Sequence, residues 1–500
     1  ASAAAWGCPL GQPVENDPQR VNLVYTIHEG EKLTVDRVLV TGLDYTRPYV
    51  VDRQLRIRDS QPLSQGGMVD TQRRLYDLGI FNQVDMAVQN PDGVAPEKNV
   101  LFNVQEARRW TFRYGGGIEF ATGNLPEGTN PRGATGVSPN GVLEITRLNM
   151  FGRDQTLTLR GRLGRLTRRG LLTYDAPRLF QRENWRVTFS TFYDNTADVN
   201  TFTSERLEGS IQAEQRVSRA TTLLYRIAFR RVRVDPNSLV IDPTLVPLYS
   251  APVRVAMPSF TFVRDRRDNA IDSHKGNYTV LDLGLATTVL AGEVNFGRVL
   301  FTNSSYYHFK KNWVFARNTQ IGIEHPYGTN LYPGGSLTAI PLPELFFSGG
   351  GNSLRGFAIN QAGPRDMQTG FPVGGQGLFV NSLELRTPPV SLPLVGDNLG
   401  FVMFHDMGNV YDTPNHLLSG ILRFTQPSIR DCSAPASTTA CNFNYNAQAV
   451  GAGLRYKTPI GPVRADVGYA LNPTMFPIRD ENRVESLRHI NFYFSIGQTF

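Results

Sequence analysis

The sequence predicts a mainly β fold, a 16-stranded antiparallel transmembrane β-barrel preceded by a small α+β domain. Three observations carry this reading. From Arg109 onward, strand-length runs alternate apolar and polar residues with a period of two. Short turns alternate with long polar connections, the asymmetry of a barrel with one rim of turns and one of loops. No apolar run reaches the ~18 residues of a membrane-spanning helix, a test that strands escape because only every second residue faces lipid.

Composition agrees with that class. The chain has 500 residues, 47 glycines, 10% aromatic residues and a mean hydropathy of −0.27. Its net charge of +7 comes from arginines dispersed along the strand-like runs rather than gathered in one basic stretch, which reads as a wet, cationic lumen wall and not as a nucleic-acid surface. The seven histidines stand singly, without metal-ligand spacing. Gly349–Gly351 is flanked by strand-like and loop residues, so a phosphate-binding loop opening a helix is excluded. No nucleophile-and-base set appears, so no enzyme activity, metal or cofactor is expected. Cys432 and Cys441 bracket a short Ser/Ala/Thr-rich stretch, which suits a loop disulfide in an oxidising compartment or two surface thiols. Ala1–Ala5 lacks the basic start and apolar core of a signal peptide and reads as a processed or truncated end.

Residues 33–107 read as a compact module. A strand over Leu33–Val40 ends at Gly42, a helical stretch covers Arg47–Ile57, and a second covers Ser64–Leu78 with Met68, Leu75 and Leu78 at helical spacing. Gly79 ends that helix. Strands at Asn82–Val88 and Asn99–Glu106 follow, joined through Asn90-Pro91-Asp92-Gly93. Residues 1–32 read as the remnant of a preceding repeat or as a linker, with a strand at Val21–Ile27 followed by Glu29-Gly30.

Residues 108–500 read as the barrel, with about sixteen strands, an even number that returns both ends to one rim. Leu157, Leu159 and Leu163 interleave with Thr156, Thr158, Arg160 and Arg162; Tyr225, Ile227 and Phe229 interleave with Arg226, Ala228 and Arg230. A soluble sandwich would alternate in the same way. The long connections near 122–138, 236–252, 325–372 and 412–446, set against turns such as Phe151–Asp154 and Thr458–Gly461, favour the barrel. Arg264–Asn269 reads as self-neutralising turn chemistry. The last run alternates Ile490, Phe492, Phe494 and Ile496 with Asn491, Tyr493, Ser495 and Gly497, and finishes at Phe500.

Two constellations stand out. Arg355, in Ser353-Leu354-Arg355-Gly356-Phe357 after Gly349–Gly351, lies in the long connection at about 325–372. A guanidinium inside a barrel is costly to desolvate unless carboxylates accept its fixed fork of donors. Glu384 shares a strand face with Val380, Ser382 and Arg386, and Asp406 shares one with Phe404 and Gly408, so both are candidate partners. The bland alternative is a surface arginine in a flexible glycine loop. The second constellation is the seam. Gly115-Gly116-Gly117 weaken the first strand, since glycine packs no side chain and loses more entropy on ordering. A weak edge could accept an added strand, or the glycines could only relieve a bend.

Together these residues resemble the BamA/TamA superfamily of outer-membrane barrel assembly proteins. The strand-helix-helix-strand-strand module with Leu78-Gly79-Ile80-Phe81 resembles a POTRA domain. The Arg355-Gly356-Phe357 loop with Gly363-Pro364-Arg365-Asp366, the Phe404–Gly408 and Thr458–Pro462 segments, and the Phe500 terminus resemble the superfamily's barrel. The resemblance implies that the loop folds into the barrel, that Arg355 pairs with Asp406 and Glu384, and that Gly497 marks an inward kink of the last strand. It implies an insertase of the bacterial outer membrane that works without ATP, with its POTRA domain in the periplasm and at least one further repeat upstream. Its expected partners are unfolded outer-membrane β-barrel clients, the lipid bilayer, and periplasmic accessory lipoproteins or chaperones. The rivals are a two-partner-secretion polypeptide translocation pore and a porin or receptor channel.

Overall fold

The computed structural model describes residues 12–14, 17–22 and 32–496, apart from 90, 92, 123–129, 133–134, 165–166, 179–181, 183, 200, 271, 310–311, 330–339, 393–395, 435–436, 438 and 459–460. The chain divides into two compact units: Ala1–Trp110 with Arg147–Gln155, and Thr111–Thr146 with Thr156–Phe500.

In the first unit, strands β1 (Thr34–Thr41), β2 (Phe81–Val88) and β3 (Glu97–Glu106) form one sheet. The central β3 runs parallel to β1 and antiparallel to β2. Helices α1 (Pro48–Asp52) and α2 (Gln65–Tyr76) come between β1 and β2 in the chain. Helix α2 begins where the Ser64 hydroxyl accepts the Gly67 N–H at 3.2 Å, and the chain leaves it through Gly79 at φ 69°. Its buried Met68 and Leu75, with Leu78, pack into the core formed by Val84, Val100 and Phe102. Helix α1 is five residues long, shorter than the stretch predicted over 47–57. Past it the ladder tightens to i→i+3 bonds, Gln54 N–H to the Val51 carbonyl at 2.8 Å and Leu55 N–H to the Asp52 carbonyl at 3.3 Å, and the Arg56 N–H donates to Thr71 Oγ1 of α2 at 2.9 Å. Gln12–Val14 and Asp17–Asn22 pair as a short hairpin, whereas Glu29-Gly30 and most of the strand expected at 21–27 lie outside the described residues.

The second feature is a closed antiparallel barrel of sixteen strands. They are β4 (Trp110–Thr122), β5 (Thr135–Met150), β6 (Gln155–Gly164), β7 (Thr167–Pro177), β8 (Trp185–Val199), β9 (Phe202–Arg216), β10 (Thr221–Val234) and β11 (Val253–Asp265). There follow β12 (Gly276–Ala286), β13 (Phe296–Phe309), β14 (Trp313–Pro326), β15 (Gly377–Arg386), β16 (Gly396–Tyr411), β17 (Ala447–Thr458), β18 (Gly461–Ala470) and β19 (Ile490–Ile496). A three-residue strand, Val390–Leu392, pairs along β16.

Period-two alternation sorts side chains between the walls. On β10, Tyr225, Ile227 and Phe229 stand exposed outside, while Ala228, Arg230 and Val232 are buried inside. Such a continuous exposed apolar wall is a liability in water and the ordinary lipid face of a membrane barrel. Lumen arginines meet acidic partners on neighbouring strands: Arg113 and Arg160 reach Glu144, and Arg169 reaches Asp194 at 3.1 Å. The Arg264–Asn269 turn is likewise self-satisfied, with Arg267 on Asp265 at 2.7 Å and the Asp268 carboxylate accepting the N–H groups of Asn269, His274 and Lys275.

Candidate functional site

The connection between β14 and β15 turns into the lumen, where its Phe346 packs on Leu378, Val380 and Val410 of the inner wall. Close approach depends on glycine at its tip. Gly356 adopts φ 124°, and a Cβ there would sit 2.4 Å from the Ala449 Cβ of β17. The neighbouring Leu354 and Phe357 are fully buried against Tyr445, Ala449, Ala470 and Phe476.

That docking places Arg355, 2% exposed, among acidic groups of β15 and β16. Its Nε donates to Asp406 Oδ2 at 2.7 Å and its Nη2 to Asp406 Oδ1 at 2.7 Å, a bidentate fork. Its Nη1 donates to Glu384 Oε1 at 2.5 Å, its Nη2 also to Ser382 Oγ at 2.8 Å, and its backbone N–H to Asp406 Oδ2 at 2.9 Å. The Phe404 ring lies under the guanidinium, 3.6 Å from ring centroid to Cζ. Each of its three side-chain nitrogens finds an acceptor, the condition under which a buried cation is tolerated. The structure thus brings Arg355, Glu384 and Asp406 together. Arg386 braces Glu384 at 2.9 Å, and Asp466 of β18 holds Arg455 at 2.6 Å and Arg464 at 2.5 Å, with Arg464 also donating to the Gly351 carbonyl at 2.7 Å.

The same loop tip is tied to the last strand. Asn491 Nδ2 donates to the Gly356 carbonyl at 2.6 Å, and the Tyr493 hydroxyl donates to the Phe357 carbonyl at 2.6 Å. The other limb of the loop is held across the lumen, where Glu344, fully buried, accepts from Arg230 Nε of β10 at 2.9 Å and Nη2 at 2.5 Å. Sequence reasoning missed Asn491, Tyr493, Glu344 and Arg230. The first two were findable as the polar, lumen-side positions of an otherwise aromatic strand. For Glu344 no local signal exists, because its partner lies 114 positions away.

The seam is thin. Strands β18 and β19 share seven residue pairs, whereas β19 and β4 share two among the described residues, Tyr493 with Ala121 and Phe494 with Phe120. Gly115, Gly116 and Gly117 lie on β4, N-terminal to those pairs; Gly497 and Phe500 lie outside the described residues. Cys432 and Cys441 are joined in a disulfide in the connection between β16 and β17, with Cα atoms 5.2 Å apart.

The Omp85 superfamily domain model matches residues 149–500, and the POTRA model, described as a surface antigen variable number repeat, matches residues 33–107. The chain belongs to the Omp85 superfamily. Among curated Omp85-like relatives, the outer membrane protein assembly factor BamA of Nitratidesulfovibrio vulgaris is 23% identical, over 96% of this chain and 53% of its own length. The BamA of Neisseria meningitidis serogroup B is 22% identical over 98% of this chain and 59% of its own length. The chain therefore spans little more than half of these relatives. A sorting and assembly machinery component 50 homolog of Xenopus tropicalis is 23% identical, with 75% of each chain covered. Among solved structures, BamA from Haemophilus ducreyi lacking POTRA domains 1–3 shares the fold at a TM-score of 0.72 and 17% identity, covering 94% of this chain and 85% of that one.

Proposed function

We propose that this Omp85 protein is an assembly factor that folds β-barrel clients and inserts them into the bacterial outer membrane through the β4–β19 seam, without ATP. The observation that carries the reading is the seam itself: among the described residues, two pairs where the neighbouring ladder has seven. At about 1 kcal/mol per hydrogen bond, parting it lies within thermal reach. Once parted, the β4 edge offers unpaired N–H and C=O groups on which an incoming client strand can form. The Arg355–Asp406–Glu384 cluster keeps the loop against β15 and β16 while this happens, so the lumen stays filled. A filled lumen is what distinguishes this reading from a porin or an export pore. The POTRA domain, with β1 and β2 as sheet edges, would receive clients in the periplasm, alongside accessory lipoproteins or chaperones.

The test is reconstitution of the full-length protein in liposomes with a urea-unfolded barrel client. Folding should be faster than in empty liposomes, with no ATP added. Equal rates in the two preparations would remove the assignment.

A further inference from the structure

In the connection between β16 and β17, a seven-residue helix, Asn415–Ile421, packs on the outside of the barrel. The face it touches settles this. Leu417 and Ile421 cluster with Phe379 and Tyr411, together with Ile321 and Met407. Phe379, Met407 and Tyr411 alternate along their strands with Leu378, Val380 and Val410, which meet the lumen loop at Phe346, and Ile321 pairs directly with Phe379. Gly420 permits the fit, since a Cβ there would lie 2.2 Å from Tyr411 Cε1. The C-terminal end is held as well, with Asn446 Nδ2 donating to the Ile421 carbonyl at 2.9 Å.

The helix nevertheless keeps two large apolar side chains uncovered. Leu418 is 76% and Leu422 78% exposed, and Phe424 just beyond is 53% exposed. At 3.6 residues per turn, Leu417, Ile421, Leu418 and Leu422 form one apolar arc of roughly 140°. Half of that arc covers the wall. Ser419 and His416, the last paired with Asp412 at 2.7 Å, take the opposite side, and Asn415 borders the arc beside Leu422. In register with Gly377 beneath the helix are Ile323 of β14 and then Val299 of β13, 36% and 40% exposed on the same outer wall. The exposed half of the arc continues that apolar wall.

We propose that the Asn415–Ile421 helix lies in the outward-facing leaflet of the membrane as an interfacial strap, with Leu418, Leu422 and Phe424 set among lipid acyl chains. This rests on the membrane reading of the barrel given above. The occupant is lipid because the patch extends a lipid-facing wall, with Ser419 and His416 turned to the other side.

Spin labels placed singly by Leu418→Cys, Leu422→Cys, Ser419→Cys and Val299→Cys test it in phosphatidylcholine liposomes, in full-length protein whose third cysteine in this sequence, Cys8, is removed by Cys8→Ser. Collision with molecular oxygen is compared with collision with a water-soluble nickel chelate. Oxygen should dominate at 418, 422 and 299, and nickel at 419. Gly420→Val, which lifts the helix from Tyr411, should move the 418 label toward nickel. Oxygen at 299 with nickel at 418 and 422 overturns the strap while leaving the barrel in the membrane. Nickel at all four sites overturns both readings. Shielding from both reagents at 418 and 422, with coupling between labels on separate chains, assigns the patch to a second copy and overturns lipid as its occupant.

Discussion

The Tyr493 hydroxyl donates to the Phe357 carbonyl at 2.6 Å and accepts the Gly356 N–H at 3.3 Å, so the last barrel strand is bound by its side chain to the lumen loop. Asn491 adds a second such bond, to the Gly356 carbonyl. Strand β19 is thus held on one side by β18 and from within by the loop, and among the described residues two pairs join it to β4. Were the seam to part as proposed, β19 would stay with the loop and β4 would be the strand released.

Tyr493→Phe removes the hydroxyl and leaves the Phe357 carbonyl buried without its donor. The cost is about 1–3 kcal/mol, on the order of five- to a hundredfold in the population of undocked loop. Limited trypsin cleavage after Arg355 and Arg365 measures it, because cleavage that follows fast opening tracks that population. Cleavage at the wild-type rate would mean that the hydroxyl bond contributes nothing to docking.

Arg355→Ala strands Asp406 as a buried carboxylate without its fork and leaves Glu384 to Arg386, at about 3–5 kcal/mol. Arg355→Lys keeps the charge and loses the bidentate geometry with Asp406, so it should fall closer to the alanine variant than to wild type. The double variant Arg355→Met with Asp406→Leu should regain part of the loss, since it removes both members of the pair. Loop protection in the three variants, read by trypsin cleavage after Arg365, a site that all of them keep, gives the ranking.

Why some of this was legible and some was not follows from the physics of each element. Strands that separate an apolar outside from a polar inside must alternate, so the faces of Leu157, Tyr225 and Glu384 can be read from one strand alone. The POTRA core follows helical spacing at Met68, Leu75 and Leu78 in the same way. Long-range pairs have no such period. Arg230 is one more lumen arginine until the loop brings Glu344 to it, and Tyr493 is one more aromatic until Gly356 lets the loop approach. The Arg56 N–H is a further case, since nothing in 47–57 foretells that Thr71 will take it.

Glu106 gives the POTRA domain a pH dependence whose sign can be worked out. Burial pushes its carboxyl up, but hydrogen bonds from Thr46 and Tyr45, with N–H donors at 2.7 and 3.0 Å, outweigh burial and hold it below the ordinary carboxylate range. A folded-state value below the unfolded one contributes stability above the unfolded value of about 4.3, and that contribution is lost as pH falls through the folded value. Glu106→Gln, which lacks the charge, should therefore lower stability at neutral pH and flatten its decline on acidification. Urea midpoints of the POTRA transition in the full-length protein, followed from neutral to acid, check both; parallel curves for the two proteins would rule the carboxylate out.

The seam can be locked where its two pairs fall. Phe120 and Phe494 are direct partners across antiparallel strands, where Cβ atoms stand about 4.5–5.5 Å apart, near the spacing a disulfide bridges. Phe120→Cys with Phe494→Cys, in a Cys8→Ser background, should cross-link on oxidation and leave the barrel closed. Client folding in liposomes should then drop to the rate of empty liposomes and recover on mild reduction. The Cys432–Cys441 disulfide is a control within the chain, so the same reductant must leave the rate of the protein without the seam cysteines unchanged. Full activity with the seam cross-linked would place client entry elsewhere, through the lumen, and the loop held by Arg355 would then have to leave it.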